Sequence, residues 1–394
     1  MAHIIAQTEA DVIDAVAAAR ANGTTLEIVG AATKRAFGNP VRADDMLDVS
    51  GLSGIISYEP EELVLSAKAG TRIAEIESAV RAKGQKLGFD PADWGPLLGA
   101  GGETATVGGV VSANACGSAR IRFGAARDHL LGFRAVNGLG ESYKAGGRVV
   151  KNVTGFDLPK LMCGAMGTLG VLTEMTLRLV PCALLSETLI VRDASAETGL
   201  ELLRRAWTSA CGPTGLAYVP SRVGSVFPEL GGIGAGAALI RVEGARVPLD
   251  EKLAGIRALS PDMRFDLIDG ESLFRSIGNG AMFIGTDADI WRVAVPPASA
   301  ARCVIESGTE LWLADWAGGM LWIAAPPADK AFADNIRATA ASFAGHATLL
   351  RAAAEWRCRV GAFQPEPASL AALTRSVKGA FDPLGIFNPG RMGP

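Results

Sequence analysis

The chain has 394 residues, 49% hydrophobic and 20% charged, with a formal net charge of −3 and a mean hydropathy of +0.25. That length accommodates two or three domains with a large core, and the composition excludes a disordered or collagen-like chain. A balanced charge with no long basic run excludes nucleic acid as a partner.

The opening MAHIIAQTEADVIDAV lacks the basic start and apolar run of a signal peptide. No apolar stretch reaches the length of a membrane span, so no transmembrane segment is expected and the chain reads as cytoplasmic. The six cysteines form no C-x-x-C pair, which predicts reduced thiols and no metal or cluster held by this chain.

In chain order, Thr8 reads as a helix cap, followed by Val12, Ala15, Val16 and Ala19 on one face and a stop at Gly23. Leu26 to Gly30 reads as a strand delivering the chain into the turn GAATKRAFGNP. Strands follow near Met46–Val49 and Ile55–Tyr58, then from Leu63. Gly70-Thr71 opens a helix with Ile73, Ile76 and Val80 inward, closed by Gly84. From Phe89 to Gly117 the pattern is glycine-rich loop with short apolar runs.

After Pro181, strand runs at Ser186–Val191, Ala238–Val242, Trp291–Val295 and Met320–Ala324 alternate with helical pieces at Ala196–Ala210 and Asp250–Leu259. The fold class is α+β, with expected domains at 1–182 and 183–350 and a C-terminal segment at 351–394. The closing FDPLGIFNPGRM is too proline-rich for a helix or central strand; it is either a loose terminus or a loop pinned to a site, and Phe381, Ile386 and Phe387 favour the pinned reading.

Several motifs bear on chemistry. Gly30-Ala31-Ala32-Thr33-Lys34 follows a strand with small residues and a hydroxyl, the composition of a backbone anion nest; a plain tight turn is the competing reading. In Thr106-Val107-Gly108-Gly109-Val110-Val111, paired glycines let amides face a ligand closely, with Thr106 and Asn114 adding side-chain bonds; the competing reading is a glycine bulge in a buried strand. The run Lys151 to Glu174 interrupts an apolar segment with Gly164, Gly167 and Gly170, which suits approach to a flat, rigid group. Gly232-Ile-Gly234-Ala-Gly236-Ala237 fits a dinucleotide fingerprint formally, but its context of preceding strand and following helix is absent.

Taken together, GAATK, TATVGGVVSANACG, FGAARDHLLGFRAVNGLGE, KNVTGFDLPKLMCGAMGTLGVLTE and FNPGRM resemble the vanillyl-alcohol-oxidase/PCMH family of FAD-binding flavoproteins, and within it the E-subunit branch of bacterial glycolate oxidases. The resemblance implies a PCMH-type FAD-binding domain of two α+β subdomains and an α+β cap. It implies FAD at Gly30, Ala31, Ala32, Thr33 and Lys34 for the pyrophosphate. It also implies contacts from Thr106, Val107, Gly108, Gly109, Ala113 and Asn114, and from Gly167, Leu169, Gly170 and Val171. Family members that bind FAD covalently use a histidine in or near the first loop, and residues 28–40 contain none, so noncovalent FAD is expected.

The resemblance further implies partners: a catalytic D-like flavoprotein subunit and an iron–sulfur subunit, acting on glycolate to give glyoxylate, with any contact with the inner face of the membrane made through them. Hydroxy-acid oxidation needs a base and an electrophile. This chain has only His3, His129 and His346, no two at metal-ligand spacing. The expected role is therefore flavin binding, assembly and electron transfer, with no catalytic residue assigned. Two alternatives stay open: a self-sufficient hydroxy-acid dehydrogenase with an Arg/Lys/Tyr site, and a non-enzymatic scaffold with a decayed flavin site.

Overall fold

Local chemistry sets the first helix, α1 (Glu9–Asn22). In the computed structural model, which describes residues 2–147 and 156–393, the Thr8 hydroxyl accepts from Asp11 N while the Asp11 carboxylate accepts from Thr8 N. This reciprocal cap satisfies two otherwise orphaned amides. Gly23, at φ +66°, ends the helix in the left-handed conformation, and Val12, Ala15, Val16 and Ala19 form the buried stripe. Lys151–Gly155, including the acceptor-like Asn152-Val153-Thr154, lies outside the described residues.

Three sheets organise the described chain. The first is parallel, in the order β1 (His3–Ile5), β3 (Asp45–Asp48), β2 (Leu26–Val29). The tail borders β2: Leu26 N donates to Ile386 O at 2.8 Å and Asn388 N to Leu26 O at 2.9 Å. α1 packs its stripe over this sheet, in a core shared by Leu26, Leu47, Val136, Val171, Ile386 and Phe387.

The second sheet is antiparallel and comprises β4 (Ile55–Glu59), β5 (Val64–Lys68), β6 (Gln85–Leu87), β7 (Leu130–Val136), β8 (Ser142–Gly146) and β9 (Val171–Pro181). Its order is β4-β5-β9-β7-β8, with β6 on the far end of β9. α2 (Ile73–Arg81) joins β5 to β6 and buries Ile73, Ile76 and Val80.

The third sheet has eight antiparallel strands: β10 (Leu185–Arg192), β11 (Gly215–Pro220), β12 (Gly236–Gly244), β13 (Asp266–Ile268), β14 (Asp289–Ala294), β15 (Leu311–Asp315), β16 (Met320–Ala325) and β17 (His346–Arg351). Their order is β13-β10-β12-β11-β15-β16-β14-β17. Alternate residues such as Leu189 and Val191, Ile240 and Val242, Leu321 and Ile323 face a core. Leu200 and Leu203 of the helix Ala196–Thr208 complete that core, with Leu249 and Leu253 of Arg246–Leu259. Gly232 to Ala237 follows the 3-10 turn Pro228–Leu230 and runs into β12, so it is no dinucleotide loop.

By contact, the chain falls into two compact units. One is Met1–Cys116, Gly124–Cys182 and Pro365–Pro394; the other is Gly117–Phe123 and Ala183–Gln364. Both mix helix with sheet, which makes the fold α+β. Among the described residues, no helix is long and apolar enough to cross a membrane.

Candidate functional site

β2 is largely buried, and where it ends at Val29 the chain turns through Gly30 to Lys34. Ala32 sits at φ +56°, a left-handed conformation rare for a residue with a side chain, and Arg35 N closes the turn on Ala32 O at 3.0 Å. The amides of Ala31, Ala32, Thr33 and Lys34 find no acceptor among the described residues. Thr33 and Lys34 are buried, and buried amides are almost always paired, so the open amides of this turn form a nest suited to an anion.

Lys34 sharpens the point. Its side chain is 9% exposed, and its Nζ has no hydrogen-bond partner among the described residues. Burial pulls its pKa down to about 8, against the opposing effect of the Asp93 carboxylate. A desolvated ammonium without a partner is costly, and an arriving negative charge would relieve that cost.

The Thr106 stretch departs from both sequence readings. It is neither a bulge nor loop but a short helix, α3 (Val107–Ala113), with Thr106 Oγ1 accepting from Gly109 N at 3.3 Å. Gly108 N donates to Ala69 O at 2.8 Å and Val107 N to Thr71 O at 2.9 Å. The expected donation of the paired glycine amides to a ligand is therefore corrected: those amides are used inside the protein. What the glycines provide is proximity. A Cβ on Gly108 would lie 2.8 Å from Ala69 O, and one on Gly30 would lie 2.6 Å from Thr106 Oγ1. The loop and α3 thus touch where no side chain fits.

Around these elements lies a cavity of about 100 Å³, open to solvent and lined wholly by residues of the first unit. It brings together Gly30, Ala31, Ala32, Thr33 and Lys34 with Thr106, Gly108, Gly109 and Ala113, and with Gly167 and Gly170. Four expected residues do not line it. Val107, Leu169 and Val171 are buried, the last in the core beneath α1, because each points its apolar side chain inward. Asn114 terminates α3 at φ +47°, its Oδ1 accepting from Arg127 N at 3.3 Å.

Two lining residues come from the tail, which the sequence reading returns to the site without committing a residue of it to cofactor binding. Asn388 Oδ1 accepts from Ile28 N at 2.8 Å and its Nδ2 donates to Met166 O at 2.8 Å, tying β2 to the Met166-Gly167 turn. Arg391, 4% exposed, donates through one nitrogen to Arg35 O at 2.7 Å and Phe37 O at 2.9 Å. Its other nitrogen reaches Glu27 Oε1 at 3.3 Å, and Glu27 also binds Arg35 in a two-bond fork. The motif FNPGRM carries this signal, but its target is separated from it by more than three hundred residues.

The histidines lie elsewhere. His3 Nε2 is 3.3 Å from Asp48 Oδ2, His129 stacks on Phe89, and His346 begins β17. None lines the cavity. Among the described residues, no group of three or more His, Cys, Asp or Glu is placed to hold a metal ion. In the second unit the Arg120 and Arg292 guanidiniums lie 4.8 and 5.4 Å from the Trp316 ring, and Arg292 also lies 5.0 Å from Trp322. Burial and these two arginines lower the pKa of His346.

Known proteins give this geometry a lineage. The FAD binding domain family matches residues 2–146, the stretch that supplies the loop and α3. Glycolate oxidase subunit GlcE of Escherichia coli (strain K12) is 31% identical over 369 residues, covering 94% of this chain and 93% of that one. The chain belongs to the GlcE family of FAD-binding flavoproteins.

Other members of the wider group match in part. Glycolate oxidase subunit GlcD of Bacillus subtilis (strain 168) is 29% identical over 156 residues, 39% of this chain and 32% of that one. The solved structure of p-cresol methylhydroxylase with substrate bound shares the PCMH-type fold, with a TM-score of 0.71 at 15% identity over 99% of this chain and 88% of the other. FAD is the cofactor of the GlcE family. The open amides and partnerless ammonium are a donor set suited to its diphosphate.

Proposed function

We propose that this chain is the flavin-carrying subunit of a glycolate-oxidising assembly, in which it binds FAD noncovalently and contributes to assembly and electron transfer. A GlcD-like flavoprotein would oxidise glycolate to glyoxylate, and an iron–sulfur subunit would accept the electrons. The observation that carries the reading is the Gly30–Lys34 loop: four open amides and a buried, partnerless ammonium in one cavity. In this reading Ala31 to Lys34 hold the diphosphate. Thr106, whose hydroxyl proton remains free to donate, lies beside the ribityl chain with Gly108, Gly109 and Ala113. Gly167 and Gly170 provide the flat approach. Bound FAD supplies reversible electron exchange; the chain's residues hold and orient it.

The separation of substrate chemistry from this chain rests on the histidines, since each of the three sits away from the cavity. A second reading, unaided oxidation of a small hydroxy acid, has one observation in its favour. Arg120 and Arg292 lie over one tryptophan ring, two guanidiniums suited to a small carboxylate.

A visible spectrum of the purified chain, taken before and after glycolate is added without air, separates the readings. A flavin spectrum that does not bleach supports the subunit role. Bleaching by glycolate makes this chain the dehydrogenase, and a folded, colourless chain that takes up no FAD removes the flavin role.

A further inference from the structure

We infer that Lys34 is a proton-accepting counter-charge: an amine held without a partner until a dinucleotide's diphosphate arrives, and protonated in the complex. Dinucleotide binding is then coupled to proton uptake at this residue, and Lys34 separates FAD from flavins that lack the diphosphate. The inference rests on the reading that the cavity binds FAD.

Three observations carry it. Lys34 lines the cavity while its Nζ is buried and has no hydrogen-bond partner. The neighbouring cations Arg35 and Arg391 also line the cavity, but both are hydrogen-bonded to the Glu27 carboxylate, whereas Lys34 Nζ has no hydrogen-bond partner. The adjacent amides are open in the same turn, which places a bound anion beside the Lys34 stem.

The charged groups on the surrounding elements are few. Asp93, from the loop after β6, favours the ammonium, and its carboxylate already accepts from Gly95 N at 3.1 Å and Glu103 N at 2.7 Å. Glu27 on β2, Arg35 in the turn and Arg391 in the tail form the hydrogen-bonded set just described. The cavity-facing residues of α3 (Gly108, Gly109, Ser112 and Ala113) and of the Met166-Gly167 turn carry no ionisable side chain.

The sign follows from burial. Desolvation brings the free amine's pKa to about 8, so above that pH the cofactor-free protein is increasingly neutral at Lys34. A diphosphate beside it restores the proton, which comes from solvent: R–NH2 and H⁺ become R–NH3⁺, with no bond broken and no electron moved. FAD affinity therefore falls about tenfold per pH unit above pH 8, until the pKa of the complex is reached. Below pH 7 the ammonium is present before and after binding, and the slope vanishes.

The test uses the full chain stripped of flavin and titrated with FAD and with riboflavin from pH 6.5 to 9.5. Quenching of flavin fluorescence gives Kd, and calorimetry in two buffers of different ionisation enthalpy counts protons. Riboflavin corrects for titration of the ring itself. For the wild type, FAD should show the tenfold slope and an uptake approaching one proton near pH 9, and riboflavin should show neither.

K34R keeps a permanent charge and should bind FAD without the slope; K34M should bind weakly and without the slope. FAD binding that is flat with pH and takes up no proton overturns the inference while leaving the FAD reading intact, as does a slope retained in K34M. A folded wild type that binds neither flavin overturns both. Because the slope and proton count are read on the wild type, a variant that fails to fold does not protect the idea.

Discussion

Arg391→Ala tests whether the tail holds the phosphate loop in shape. The guanidinium is 5% exposed and donates to two main-chain carbonyls, Arg35 O and Phe37 O, with Glu27 as its third contact. Glu27 keeps its fork to Arg35, so no carboxylate is stranded. The cost is that of two acceptors losing a charged donor, about 1.5–3 kcal/mol each. Water entering the vacated space returns part of it, leaving about 3 kcal/mol. For a unit of 150–250 residues that corresponds to a fall in Tm of roughly 6–12 °C.

Arg391→Lys places a point charge where a fork is needed, so it should recover less than half of the loss. Scanning calorimetry reads the stability, and flavin fluorescence reads FAD affinity. Affinity should drop at least tenfold in Arg391→Ala, because the loop between Arg35 and Phe37 is no longer tied. A Tm within 2 °C of wild type would refute the energetic argument. A large Tm loss with unchanged FAD affinity would refute the link between tail and loop.

Three further predictions concern single side chains. Glu9 accepts from Arg134, Ser142 and Thr173, and the Arg134 bond leads in holding its pKa down at about 2. Its stabilisation is complete above the ordinary carboxylate range and is lost as pH falls through 2. Glu9→Gln should therefore cost about 1–2 kcal/mol at pH 7 in urea titrations, the difference narrowing toward pH 2. Asp315 runs the other way. Burial raises it to about 6 despite bonds from the Ser118 hydroxyl and Trp316 N–H, so the charged form costs stability between pH 4 and 6 and at all higher pH. Asp315→Asn should be near neutral at pH 4 and stabilising by about 1–2 kcal/mol at pH 8, and a loss at pH 8 would sink that reasoning. Gly30→Ala puts a methyl 2.6 Å from Thr106 Oγ1, so equilibrium dialysis should show FAD binding weakened about tenfold or more, with Tm changed by only a few degrees.

What the sequence discloses, it discloses through local chemistry. α1 is readable from Thr8 to Gly23 because its cap, its buried stripe and its stop all lie within one stretch of chain. α2 is readable for the same reason. α3 is not: its β-branched residues and glycines read as loop or bulge, and only the Thr106 cap and Asn114 are local signals, while its first amides are held from outside. Val107 N and Gly108 N are held by Thr71 O and Ala69 O, a distant turn with no counterpart in local periodicity. Gly117–Phe123 packs with the second unit although both flanks belong to the first, which no composition shift announces.

The site follows the same division. The Gly30–Lys34 loop is legible because small residues after a buried strand have few other uses. The tail's pinned character is legible from Ile386 and Phe387, buried at 3% and 0% exposure. Its purpose is not, since Asn388 bonds to Ile28 and Met166 across most of the chain.

The charge layout of the cavity explains why a tail is needed. A loop of open amides repels nothing and selects little by itself; it becomes specific when one full positive charge is fixed beside it. A second free cation would bind anions of many kinds. Glu27 limits that by accepting from both Arg35 and Arg391, and the buried Arg391 serves the loop as a brace. The brace works because its two carbonyl bonds span the residues just after Lys34, fixing where the stem of that side chain begins. One buried amine without a hydrogen-bond partner, one set of open amides and one external brace together form a cradle for a diphosphate. Ionic strength should then weaken FAD binding in the wild type more than in Lys34→Met, whose cradle retains only the amides.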